Sequence, residues 1–184
     1  PVISHFNREK LADGHAVIEE KSAATVAFAS NGQGVSFQHL AIVDPETRAE
    51  VPEGTIGEIW VHGQNMATGY LNRPEETAAT FRNTLDERIQ DGLPEDDWWM
   101  ATGDLATIIE GELYITGRLK DLIVIAGRNH YPQDIEGTVQ DASAHVRPDS
   151  VAAFAVEGEN SESLVLLVER ADDADPSGDA AAGE

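Results

Sequence analysis

With 184 residues, 41% of them hydrophobic, the chain is long enough for one substantial core or two small ones, and no run approaches the roughly 18 apolar residues of a membrane span. Its 34 acidic residues against 12 basic ones give a net charge of −22, a surface that repels phosphate backbones and argues against nucleic acid as a partner. The absence of cysteine excludes disulfides and thiolate metal sites and fits a cytoplasmic setting.

The chain opens Pro1-Val2-Ile3 without a charged head, an apolar run or a start methionine, so it shows no secretory signal and is expected to be cut from a longer protein. A helix start is expected at Asn7 and a break at Gly14. Ala23 to Ala29 and Val35 to Val43 read as strands, and Asn31-Gly32-Gln33-Gly34 between them as a turn. Turns are expected at Asp44-Pro45-Glu46 and Val51-Pro52-Glu53-Gly54, then a strand from Ile56 to His62 closed by Gly63. Short strands between turns suggest a meander or small barrel.

Pro74 suits a first helical position, Glu75 and Glu76 favour a helix start, and Ala78, Phe81, Leu85 and Ile89 share one face, so a helix is expected over 74–89. Asp91 to Asp97 is an acidic loop, and Trp98-Trp99 reads as a loop anchored into the core. Leu105 to Ile109 and Leu113 to Thr116 flank Glu110-Gly111-Glu112 as a hairpin. Leu122 to Ile125 is a short strand broken at Gly127, and Pro132 to Gln140 begins like a helix. Val151 to Val156 and Leu164 to Val168 are strands joined by a polar loop, while residues 170–184 form an acidic, flexible tail. The order strand, helix, strand, strand after Leu119 suggests a small α/β unit distinct from the strand-rich part before it.

Charge is distributed unevenly. Between Gly117 and Tyr131, Arg118, Lys120 and Arg128 stand against Asp121 alone, a basic island where an anionic ligand such as ATP can sit. In Thr102-Gly103-Asp104, a carboxylate at a strand edge can accept hydrogen bonds from both ribose hydroxyls, although an aspartate after glycine is more often a turn former. Arg118 can neutralise a phosphate or bond a ribose oxygen, or else form a surface ion pair with Asp121 or a nearby glutamate. Lys120 sits at the junction of the two parts and reads either as a hinge or as a solvated lysine. None of the six histidines lies at metal-ligand spacing, and no nucleophile elbow or Walker-type loop occurs, so no metal site is expected on the chain.

Four segments occur in order: Gly57-Glu58-Ile59-Trp60-Val61-His62-Gly63, Gly69-Tyr70-Leu71-Asn72-Arg73-Pro74-Glu75-Glu76-Thr77, Thr102-Gly103-Asp104-Leu105 and Gly117-Arg118-Leu119-Lys120-Asp121. The series resembles the later core motifs of the adenylate-forming superfamily, over about Val35 to Val168. Gly127 to Glu136, GRNHYPQDIE, resembles the fatty-acyl-AMP ligase version, and residues 1–24 resemble the extra segment those ligases carry between their domains.

The resemblance implies an α/β (α+β) fold in which residues 25–118 are the strand-rich, barrel-like end of a large N-terminal domain and 119–169 begin a small C-terminal α/β domain. It implies a ligase of fatty acid metabolism and lipid biosynthesis that uses ATP and Mg2+ to make acyl-adenylate and pyrophosphate. The acyl group then passes to an acyl carrier protein, often on a polyketide synthase; a long-chain acyl-CoA synthetase and a non-catalytic binding module are the alternatives. By the same resemblance Asp104 binds the ribose hydroxyls, Arg118 the ribose and α-phosphate side, Ile115 lines the nucleotide, and Lys120 is the hinge. Val124 stands where many CoA ligases carry a second basic residue. The family's phosphate loop, adenine motif and late catalytic lysine are expected outside these residues, so the chain alone is expected to be inactive.

Overall fold

A computed structural model describes residues 2–94, 98–157 and 162–175. The chain divides into two compact units, residues 1–120 and 121–184.

The first unit is built on a five-stranded antiparallel sheet in the order β4-β3-β5-β6-β7, comprising β3 (Gln38–Asp44), β4 (Ala49–Glu50), β5 (Gly57–Gly63), β6 (Met100–Ile109) and β7 (Glu112–Arg118). The architecture is mixed and strand-rich, as expected, but the sheet is open and no barrel closes. Apolar runs such as Leu40 to Val43 and Ile59 to Val61 mark strands buried on both faces. Ala41, Val43, Trp60, Leu85 and Trp99 form one cluster. Ile42, Ile59, Val61 and Ala106 form another. A fully buried Val, Leu or Ile side chain contributes about 1.5–3 kcal/mol through burial. The β6–β7 hairpin turns on Glu110 and Gly111, whose φ values of 52° and 78° give the two-residue turn that matches strand twist.

An arm precedes this sheet. β1 (Ile3–Asn7) pairs antiparallel with β2 (Thr25–Ala29) from Ile3↔Ala29 to Asn7↔Thr25. Between them lies α1 (Arg8–Ala12), whose N-cap Asn7 accepts from Lys10 N at 3.0 Å. Phe6 is fully buried, stacked on Phe28 at 5.5 Å and edge-on to Tyr114 of β7 at 5.2 Å. The stretch read as a turn at 31–34 instead begins by running beside β7: Asn31 N donates to Leu113 O at 2.8 Å, and Leu113 N donates to Gly32 O at 2.9 Å.

The helix α2 (Pro74–Phe81) starts as expected but stops eight residues short of Ile89. Asn83 explains the stop. Its side-chain amide donates to Ala79 O at 2.9 Å and Thr80 O at 3.1 Å, and its backbone exchanges two bonds with Trp99. Leu85 then reaches the core from extended chain, while Ala78 and Ile89 are exposed. Phe81 and Leu85 are therefore both buried without sharing a helix.

The second unit begins with a hairpin of β8 (Ile123–Ile125) and β9 (Arg128–His130), turning on Ala126 and Gly127 at φ 52° and 76°. β9 was not expected, because Arg-Asn-His lacks apolar alternation. α3 (Pro132–Ala142) follows, then β10 (Val146–Glu157) and β11 (Glu162–Arg170), paired antiparallel. Glu136 Oε1 accepts from Ala153 N at 3.0 Å, which ties α3 to β10. Among the described residues, no helix is long and apolar enough to cross a membrane. Part of the acidic loop, 95–97, and most of the tail, 176–184, lie outside the described residues.

Candidate functional site

Thr102-Gly103-Asp104 lies inside β6, rather than ahead of a strand. In the β5–β6 ladder Glu58 faces Leu105 and Trp60 faces Ala101, so Ile59 alone stands against Thr102, Gly103 and Asp104. This bulge has two extra residues. Gly103 takes φ 77°, which favours glycine. Thr102 Oγ1 donates to Ile59 O at 2.9 Å and accepts from Asp104 N at 3.1 Å. Gly103 N donates to Glu58 Oε1 at 2.7 Å.

A second bulge sits on β7. Leu105 faces Gly117 and Ala106 faces Ile115, leaving Thr116 as the extra residue, and its hydroxyl donates to Leu105 O at 3.2 Å. Asp104, the last residue of the first bulge, pairs in register with Arg118, and Leu105↔Gly117 separates that pair from Thr116. Arg118 Nε stands 3.3 Å from Asp104 Oδ1, with both side chains open to solvent. The two residues expected to hold the nucleotide are thus brought together, and the ion partner of Arg118 is Asp104 rather than Asp121. A carboxylate and a guanidinium side by side on an open sheet offer acceptors for a diol and a donor fork for a phosphate.

Ile115 sits on the same strand, three residues before Arg118, partly exposed, with its N–H directed to Asn31 Oδ1 at 3.4 Å. Lys120 is the last residue of the first unit, within a single 3-10 turn (Leu119–Asp121). Trp99 is fully buried as expected, but Trp98 is exposed beneath the Arg82 guanidinium, 4.9 Å from its ring centroid. Among the described residues, no group of three or more His, Asp or Glu side chains gathers as a metal site.

Two features escaped the sequence reading. Gly69 packs so tightly on Thr77 that an added Cβ would lie 2.3 Å from its methyl, and Thr77 Oγ1 accepts from Tyr70 N at 2.9 Å. The segment Gly69 to Thr77 is therefore one folded unit around the start of α2. Separately, a pocket of about 380 Å³ is lined by Leu40, Ile42, Glu50, Val51, Ile108 and Leu113 among others. Glu50 is buried and accepts from Gln90 N at 2.9 Å. A lone glutamate in a two-residue strand gave no sequence signal.

The family described as AMP-binding enzyme matches residues 14–71. A long-chain-fatty-acid–AMP ligase, FadD32 of Mycolicibacterium smegmatis, is 46% identical over 161 residues, covering 85% of this chain and 26% of the relative. The chain belongs to the adenylate-forming AMP-binding enzymes. Another member, the 4-hydroxyphenylalkanoate adenylyltransferase of Mycobacterium tuberculosis, is 43% identical over 89% of the chain and 25% of its own length. Among solved structures, the fatty acyl-adenylate ligase of L. pneumophila in complex with acyl adenylate and pyrophosphate aligns with a TM-score of 0.57 and 33% identity, over 99% of this chain and 31% of that one. The chain spans about a quarter of the length of the curated relatives it matches. The bulged β6–β7 pair carries Asp104, Ile115 and Arg118, the residues to which the family resemblance gives nucleotide roles.

Proposed function

We propose that the whole protein activates a fatty acid as its acyl-adenylate. The carboxylate oxygen of the acid attacks the α-phosphorus of ATP, the bond to the β-phosphate oxygen breaks, and pyrophosphate leaves. The acyl group then passes to the thiol of a carrier protein: sulfur attacks the acyl carbon, AMP leaves with the bond electrons, and the thiol proton is released. A carrier on a polyketide synthase is the partner this reading favours, in the cytoplasm.

The observation that carries the reading is the facing pair Asp104 and Arg118, in register at the β6 bulge. Asp104 accepts the ribose hydroxyls, Arg118 turns its fork to the ribose and α-phosphate side, and Ile115 lines the nucleotide. These groups work by positioning and by charge. Lys120, at the boundary of the units, is the hinge about which they reorient between the two half-reactions. Equal unit orientations in nucleotide-bound and carrier-bound structures would count against that role. Mg2+ would take most of its ligands from water and the substrate phosphates and would neutralise phosphate charge there. Among the described residues no group of three or more His, Asp or Glu side chains gathers to hold it.

The test is ATP–pyrophosphate exchange by the whole protein with a fatty acid. Exchange should fall sharply in Asp104→Ala and Arg118→Ala; undiminished exchange in both rejects the site. Product analysis with CoA present separates the readings, since accumulating acyl-CoA would identify an acyl-CoA synthetase instead.

A further inference from the structure

We propose that Glu58 is a positioning residue for the nucleotide, its carboxylate clamping the bulge that aims Asp104. The inference rests on the reading that Asp104 takes the ribose hydroxyls. Glu58 is only 6% exposed, and both of its oxygens are engaged by donors that fix their direction. Oε2 accepts from the indole Nε1 of Trp60 at 2.8 Å, and Oε1 accepts from Gly103 N at 2.7 Å. Trp60 is itself buried in the sheet core, so the indole is a fixed anchor and the carboxylate has little freedom.

Gly103 lies outside both the β5–β6 and the β6–β7 register pairs. Its N–H therefore has no ladder partner, and Glu58 supplies the acceptor that a flat strand would have supplied. Thr102 closes the other side of the bulge through Ile59 O and Asp104 N. The chain of restraint runs Trp60, Glu58, Gly103, Asp104. Bulges commonly re-aim a side chain beside a functional site, and this one is closed by a buried side-chain acceptor. A glutamate that served the core alone would have no cause to reach the middle residue of the bulge.

The experiment measures kcat/KM of the whole protein for ATP and for 2′-deoxyATP, a ratio that general loss of stability does not move. Asp104→Ala should bring the preference for ATP toward unity. Glu58→Gln keeps the size of the side chain but turns an amide NH2 toward one of its two donors. It should reduce the preference about three- to tenfold, the effect of one hydrogen bond, with KM for the fatty acid unchanged. Added to Asp104→Ala, the same change should lower the preference no further. Should Glu58→Gln fail to fold, Thr102→Val loosens the same bulge and should shift the ratio in the same direction. If Asp104→Ala lowers the preference and the folded Glu58→Gln or Thr102→Val does not, the positioning role is overturned and the ribose reading stands. If Asp104→Ala itself leaves the preference intact, the ribose reading falls and this inference falls with it.

Discussion

The two units solve the problem of holding a short sheet differently. In the first, the central strands bury apolar side chains on both faces, and the bulges are closed by Glu58, Thr102 and Thr116. In the second, β10 and β11 leave Phe154, Val156, Leu164, Leu166, Leu167 and Val168 partly exposed, and Ile123, Tyr131, Val146 and Ala153 are the buried apolar residues among those described. The lesson is that the pair proposed to hold the nucleotide lies in the unit with the larger apolar core. The unit carrying the GRNHYPQDIE segment has little core of its own to fix a geometry.

That contrast can be broken at its strongest point. Trp99→Ala should destabilise the first unit by about 3–5 kcal/mol, because it empties a fully buried site; urea unfolding of the chain followed by circular dichroism measures it. A cost below about 1 kcal/mol would mean that Trp99 does not fill a tightly packed core with Trp60 and Leu85. Asp104→Ala should lower kcat/KM for ATP in the whole protein about a hundredfold. This follows from losing two hydrogen bonds to a charged acceptor, together about 3 kcal/mol or more. The two matched hairpin turns give a control. Gly111→Ala and Gly127→Ala each place a Cβ at positive φ without a steric clash, so each should cost about 1 kcal/mol, a shift read in the same unfolding experiment. Unequal costs would show that one turn is held by its unit more than by its own sequence. Smallest is Leu167→Ala, at 61% exposure, which should change stability by no more than about 0.5 kcal/mol.

Much of this fold was legible because local chemistry and tertiary context agree. Glu110-Gly111 between alternating strands announced its hairpin, and Pro74 with two glutamates announced a helix start. The end of that helix was not legible. Phe81 and Leu85 keep helical spacing, yet Leu85 is buried by a strand-like approach that depends on Trp99, distant in sequence. β9 was hidden because its three residues are polar and paired only through the Ala126-Gly127 turn. Asp104 and Arg118 were legible as candidates through motif order, but their pairing was not. Register across β6–β7 includes a bulge at Thr116, and no local pattern specifies which residue a bulge leaves out. Glu58 was hidden for a related reason: its acceptor role exists only once β6 has bulged against β5.

An open sheet has edges, and an edge strand offers its unpaired amides and carbonyls to any passing chain. β7 is such an edge, and it also carries Ile115 and Arg118. Asn31 and Gly32 occupy both backbone groups of Leu113 and the N–H of Ile115, while Ser30 and Gln33 hold the neighbouring Glu112 side chain. The arm thereby acts as a guard against strand-to-strand aggregation along the start of β7.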